Sequence, residues 1–306
     1  MTKFAVVGLG QCAYDILGRV DAYPAVDAKV ELGEILFQGG GPAATALETL
    51  ARLGIATAFF GRVGDDDFGA RIRSGLLAVG VDCGNLLTDP GRTSQFAFIA
   101  VEKGSGLRNI FWTRGSARPL SFSEIDPAPI RSCRILHLDG LQREASFAAA
   151  RIAREAGVTT VLDGGSLRNG TTDLLPLIDH LVVSEKFALQ AAGGSEPRRA
   201  LEKLLSHGAR AVTVTVGERG SHTLSREGEE FHQRAFPVNA VDTTGCGDVF
   251  HGGYIYGVLQ GWELQRTVRF AAACAALKTR ALGGRTAIPT LSEVEAFLAN
   301  GGSDRR

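Results

Sequence analysis

Residues Val241 to Gly253, VDTTGCGDVFHGG, set two glycines, a small side chain and an acid in a row just ahead of the helical run YIYGVLQGWEL. A Gly-small-Gly-Asp turn opening a helix leaves backbone N–H groups without intrahelical acceptors, and the positive end of the helix dipole stands behind them. Such a turn cradles an anion. Gly245 and Gly247 let the backbone come close to a phosphate, and Cys246 between them is too small to obstruct it. Asp248 at the same helix start has two readings. It is a helix cap, because Asp is favoured there in any protein. Or it is a base, because a carboxylate beside an anion cradle can take the proton of a hydroxyl attacking a bound phosphoryl group. The helix dipole is expected to hold Asp248 ionised, a weak base suited to a loose transition state in which the hydroxyl loses its proton late.

Positioning such a cradle takes a sizeable scaffold, and 306 residues with 44% hydrophobic content suffice for a large buried core. Short β-branched runs such as CRILHLDG, VTTVLDGG and ARAVTVTVGERG alternate with Ala/Leu-rich helical runs such as FAAARIAREAG and EPRRALEKLLSHG. That alternation predicts an α/β fold with a mostly parallel central sheet flanked by helices. Several strands end in Gly, Asp or Ser, as at Asp139-Gly140, Asp163-Gly164 and Gly217. Ligand loops in open α/β sheets gather at those carboxyl ends. Two stretches break the rhythm, Asp15 to Phe37 and Thr93 to Thr113. The second has the pattern of a hairpin around a Gly-Ser-Gly turn, which predicts a small β-layer acting as a lid. Residues Gly301 to Arg306 are expected to form a frayed tail.

The segment DTTGCGD resembles the D-T-x-G-A-G-D signature of the ribokinase-like (PfkB) carbohydrate kinases, and further matches follow in order. They are Gly40-Gly41 with the small-residue helix ending ARLG, then GRVGDDDFG, VTVGERGS and GGRTAIP. The resemblance implies a three-layer fold over residues 1–306 as one kinase domain, with a lid from about 12–37 and 93–117. It implies ATP with Mg2+ as phosphoryl donor and a small sugar as acceptor. Asp248 becomes the base, with Gly245, Cys246 and Gly247 as the anion hole. Asp15, Gly40, Gly41, Thr45 and Asp139 fall on the sugar side, and Thr215, Gly217, Gly220 and Thr243 on the nucleotide side. Asp242 and the backbone near Gly283 fall where many members bind a monovalent cation such as K+. A homodimer through the lid edge is expected.

Three departures from the family pattern stand out. Thr45 in GGGPAAT occupies the place of an Asn that contacts ribose-like substrates. Ser184-Glu185-Lys186-Phe187 replaces the N-x-x-E segment that helps organise magnesium. Cys246 replaces the central Ala of the anion hole. GGGPAAT with VDTTGCGDVFHGG most resembles a fructose-type branch, which favours a ketohexose-like sugar over ribose or a nucleoside.

Other signals compete. VVGLGQCA, Val6 to Ala13, fits the G-x-G-x-x-A dinucleotide fingerprint and makes an NAD-dependent oxidoreductase the alternative. That fingerprint needs a helix next, whereas DILGRVD followed by Pro24 has the pattern of a strand and turn. A non-catalytic sugar sensor on the same fold would show an eroded anion hole or a lost base, and Gly245, Gly247 and Asp248 are all present. His251 is expected to brace a neighbour, and Asp65-Asp66-Asp67 to start a solvated helix. Lys plus Arg and Asp plus Glu both total 33, so no overall charge draws nucleic acid or an anionic membrane. Five scattered cysteines form no zinc pattern and suggest a reducing, cytoplasmic setting.

Overall fold

The strands are β1 (Val6–Leu9), β2 (Ala13–Val20), β3 (Ile35–Gly40), β4 (Thr57–Gly64), β5 (Val81–Asp89), β6 (Phe96–Glu102) and β7 (Arg108–Thr113) in the first part of the chain. Then follow β8 (Ile135–Leu138), β9 (Thr159–Gly164), β10 (His180–Ser184), β11 (Ala211–Thr215), β12 (Ser221–Ser225) and β13 (Glu230–Gln233). They are seen in a computed structural model that describes residues 3–105, 107–168, 170–194 and 196–302. Gly106 of the Gly-Ser-Gly turn and the last four residues lie outside the described residues.

Nine strands form one sheet in the order β13-β12-β11-β10-β9-β8-β1-β4-β5. All its pairings are parallel except β11 with β12 and β12 with β13. The central strands are buried on both faces, which is why they are near-continuous runs of Val, Ile and Leu. Their side chains alternate between two cores. Val6, Val161 and Val182 join Leu47, Tyr254 and Phe270 on one face, while Val7, Leu162 and Leu181 join Ala149 and Leu204 on the other. Helices 42–52, 246–259 and 264–278 cover the first face and helices 143–155 and 197–205 the second.

A second sheet has the order β3-β2-β6-β7, with β2 and β6 parallel and the outer pairs antiparallel. It holds its own small core of Leu17, Ala97, Ile99 and Val101, closed by Leu282 from the loop after helix 264–278. The expected hairpin is β6 and β7. Leaving β1, the chain runs into β2 of the other sheet with no helix between, so the G-x-G-x-x-A segment lacks the element a dinucleotide site requires. Asp66 caps helix 67–78 by accepting from Gly69 N at 2.9 Å, as expected of a helix start. The tail expectation needs correction at its first two residues. Gly302 N–H donates to Phe297 O at 2.9 Å and the residue packs on Phe236, so Gly301 and Gly302 close the last helix. Among the described residues no helix is long and apolar enough to cross a membrane, and all five cysteines are free.

Candidate active site

Helix 246–259 begins at Gly245, whose φ of 71° lies in the left-handed region. A Cβ there would sit 2.8 Å from Gly284 O, so glycine alone fits. Gly247 differs, because a Cβ would meet no protein atom within 4 Å and packing gives no reason for the glycine. Close approach of a ligand gives one. Val249 N is bonded to Gly245 O at 3.0 Å, and the amides of Gly247 and Asp248 before it are the kind that a helix start leaves for an anion. Asp242 braces this turn from behind. Its Oδ1 accepts from Thr244 N at 2.8 Å and Thr244 Oγ1 at 2.7 Å, and its Oδ2 from Gly283 N at 2.8 Å. Thr243 Oγ1 accepts from Arg108 Nη1 at 2.6 Å, so β7 of the small sheet reaches the anion end of the helix. Sequence reasoning did not single out Arg108.

The carboxyl ends of β8, β9, β10 and β11 lie side by side and carry Asp139, Asp163, Ser184 and Thr215. Three strand spacings separate the first from the last, about 14 Å. Thr215 Oγ1 donates to Val183 O at 3.4 Å, Gly217 turns the chain at φ 62°, and Gly220 lies so close to Gln233 O that a Cβ would be 2.0 Å from it. Ser184 caps helix 185–192 by accepting from Phe187 N at 3.1 Å, and Glu185 pairs with Arg219 at 2.7 Å. These residues at the altered N-x-x-E segment are thus tied locally. Among the described residues no three His, Cys, Asp or Glu side chains converge as a metal site. Mg2+ commonly keeps several waters and is held through substrate phosphates with few protein ligands.

On the other side, Asp15 of β2 presses against Gly40 and Asp139 against Gly10. A Cβ at Gly40 would lie 2.0 Å from Asp15 Oδ2, and one at Gly10 2.2 Å from Asp139 Oδ2. Gly10 is therefore glycine because a carboxylate needs the room. Asp139 accepts from Gln11 N at 2.6 Å and Leu141 N at 2.9 Å, which leaves lone pairs for a further donor. Gly41, at φ 92°, opens helix 42–52. Thr45 is buried there, and its Oγ1 accepts from Arg285 Nε at 3.0 Å. Arg285 also donates to Glu48 Oε2 at 3.0 Å and Gly40 O at 2.8 Å. Neither Arg285 nor Glu48 was picked out from the sequence. The usable signal was Glu48 on a helix face that is otherwise Ala, Leu and Thr, since a buried acid needs a cation.

Electrostatics corrects one expectation. Burial, and then repulsion from Asp163, push Asp248 up to about 7, against His251 and Arg285. The helix dipole does not keep its carboxyl in the ordinary range, because desolvation outweighs it. Asp248 retains an accessible edge, so water tempers this push until the site is covered. Burial likewise raises Asp15 and Asp139 to about 6, and raises Asp163. His251 is a brace, as expected. Its Nδ1 is 2.7 Å from Gly247 O and its Nε2 3.0 Å from Val182 O, two oxygens that only accept, with Asp163 Oδ2 3.5 Å from Nδ1.

Comparison with known proteins agrees with this geometry. The pfkB family carbohydrate kinase profile matches residues 2–291. The chain is 31% identical over 303 residues to the ATP-dependent ribose-1-phosphate kinase of Halopiger xanaduensis, covering 96% of this chain and 98% of that one. It is 27% identical over 316 residues to the 5-dehydro-2-deoxygluconokinase of Shouchella clausii, covering 97% and 96%. It also superposes with a TM-score of 0.86 and 26% identity on an E. coli protein solved with ATP and Mg2+, covering 96% and 99%. A glycine turn opening a helix beside a doubly covered parallel sheet agrees with this match along nearly the whole chain, and the match settles the class: the chain belongs to the pfkB family and is an ATP-dependent carbohydrate kinase.

Proposed function

We propose that this kinase transfers the γ-phosphoryl group of ATP to a hydroxyl of a ketohexose-like sugar, with Asp248 as the base. The observation that carries the reading is Asp248 itself, one residue after an unobstructed Gly247 and held near neutrality by burial. A base is most useful when its pKa lies near the working pH. Gly245, Cys246 and Gly247 hold the transferred phosphoryl group on backbone amides. ATP lies toward Thr215, Gly217 and Gly220, with its phosphates reaching Thr243. Mg2+, bound with the nucleotide, would neutralise phosphate charge there.

The sugar lies between Asp139 and Asp15, whose carboxyl groups accept from its hydroxyls, with Gly40 and Gly41 as floor. Thr45 acts through Arg285, which it helps to hold against Glu48 and Gly40. A threonine engaged in this way offers ribose no amide, which favours a ketohexose. All of this belongs to one kinase domain in which the four-stranded sheet is the lid. Closing it excludes water, the competing acceptor, and the Arg108–Thr243 contact is the kind such closure makes. The edge strands of the lid, β3 and β7, leave Phe37, Ile110, Phe111 and Trp112 exposed and suit pairing with a second copy.

The test is an ATP-consumption screen over ketohexoses, pentoses, nucleosides and their phosphates and acids. The last two groups belong in it because two relatives are named for such substrates. A ketohexose with the highest kcat/KM supports the reading, and ribose or a nucleoside ahead of every ketohexose overturns it.

A further inference from the structure

Asp242 is where a monovalent cation is expected by resemblance, and its surroundings do not fit one. Lys278, the last residue of helix 264–278, is 0% exposed, and its Nζ donates to Asp242 O at 2.9 Å. The carboxylate of the same residue is taken up by Thr244 N, Thr244 Oγ1 and Gly283 N. A second cation on Asp242 would face an ammonium in a water-poor site, where like charges repel strongly. A surface lysine at a helix end needs no explanation, but a wholly buried one does, because its charge must be compensated.

We infer that Lys278 is a built-in cation, standing behind the anion hole in place of a monovalent metal ion, so that this kinase needs no K+. The chain path explains how the charge is used. Asp242 is followed by the turn in which Cys246 N bonds Thr243 O at 3.3 Å, and Gly284 of the lysine's own loop abuts Gly245. The ammonium thus fixes the peptide that enters the anion hole, while its field reaches Cys246 and Asp248. Burial pulls the Lys278 ammonium below its ordinary pKa, Asp242 is the neighbour that most supports its charge, and Arg108 works against it from the lid. Lys278 is a positioning residue, since a side chain with no exposed surface is closed off from sugar and nucleotide.

The test needs no sugar, so it stands apart from the substrate assignment. Thermal midpoint and MgATP affinity are measured for the whole chain in choline chloride and in KCl at equal ionic strength. The wild type is expected to melt within about 1 °C in the two salts and bind MgATP within about twofold, since a cation in tenfold excess over its Kd would raise the midpoint by about 2 °C. A rise of that size in KCl, or about tenfold tighter MgATP, overturns the inference. Lys278→Met is expected to lose MgATP affinity in choline and to regain it in K+. A folded Lys278→Met with the same affinity in both salts assigns the lysine to packing alone and also overturns it. If that variant does not fold, the wild-type comparison decides.

Discussion

Replacing Asp248 with Asn should inactivate the enzyme and at the same time make it more stable at alkaline pH. The carboxyl is pushed from 3.8 to about 7, chiefly by burial. Each unit corresponds to about 1.4 kcal/mol, so the full shift corresponds to about 4 kcal/mol of folding free energy. Because Asp248 keeps an accessible edge and lies close to Asp163, about half of that, 2 kcal/mol, is the better expectation. The sign follows from the raised value. The native state holds the proton more tightly than the unfolded chain, so this stability is complete below pH 3.8 and is lost as pH rises through about 7. At pH 8 the wild type therefore holds an unfavourable buried charge that Asn lacks. Differential scanning calorimetry at pH 8 should place the variant about 3 °C above the wild type, a gain that shrinks to nothing near pH 4. In coupled assays the variant should turn over about 10²–10⁴-fold more slowly, with ATP affinity little changed. Wild-type kcat/KM for the sugar should fall below pH of about 7, and the variant's residual activity should lack that limb. Near wild-type turnover, or a lower midpoint at pH 8, would refute the account of this carboxylate.

Asp139→Ala should raise the sugar KM or lower its kcat/KM by tenfold or more, an order-of-magnitude expectation for a lost hydroxyl acceptor, while leaving the KM for ATP nearly unchanged. Unchanged sugar kinetics in steady-state assays would remove Asp139 from the pocket. Arg285→Met leaves the buried Glu48 with Arg52 alone, 3.5 Å from its Oε1, and should cost about 1–3 kcal/mol in denaturant titrations. Adding Glu48→Gln should recover part of that loss, and a double variant no better than the single one would show that the pair is not coupled. Light scattering should give the mass of two chains for the wild type and of one for Trp112→Asp, whereas a wild-type monomer would dismiss pairing through the lid.

How far the sequence could be read depended on how local the physics was. The glycine turn that starts helix 246–259 is a matter of backbone chemistry within four residues, so GCGD disclosed it without any knowledge of the rest of the chain. The parallel sheet was legible for the same reason, because strands buried on both faces show it in their own composition. Charge states and partners across the fold were not. Asp248 owes its raised pKa to enclosure and to Asp163 on β9, and no spacing pattern reports either. Arg285 meets Thr45 across 240 positions, and Lys278 has the look of an ordinary basic residue ending a helix until its burial is seen. The G-x-G segment shows the converse, a pattern that was legible and had a different cause. Gly8 yields to Leu47 and Gly10 to Asp139, so the spacing that elsewhere admits a dinucleotide here admits a leucine and a carboxylate. A glycine motif records only that something comes close to the backbone. What comes close is decided by the element that follows, and after β1 that element is a strand of the small sheet.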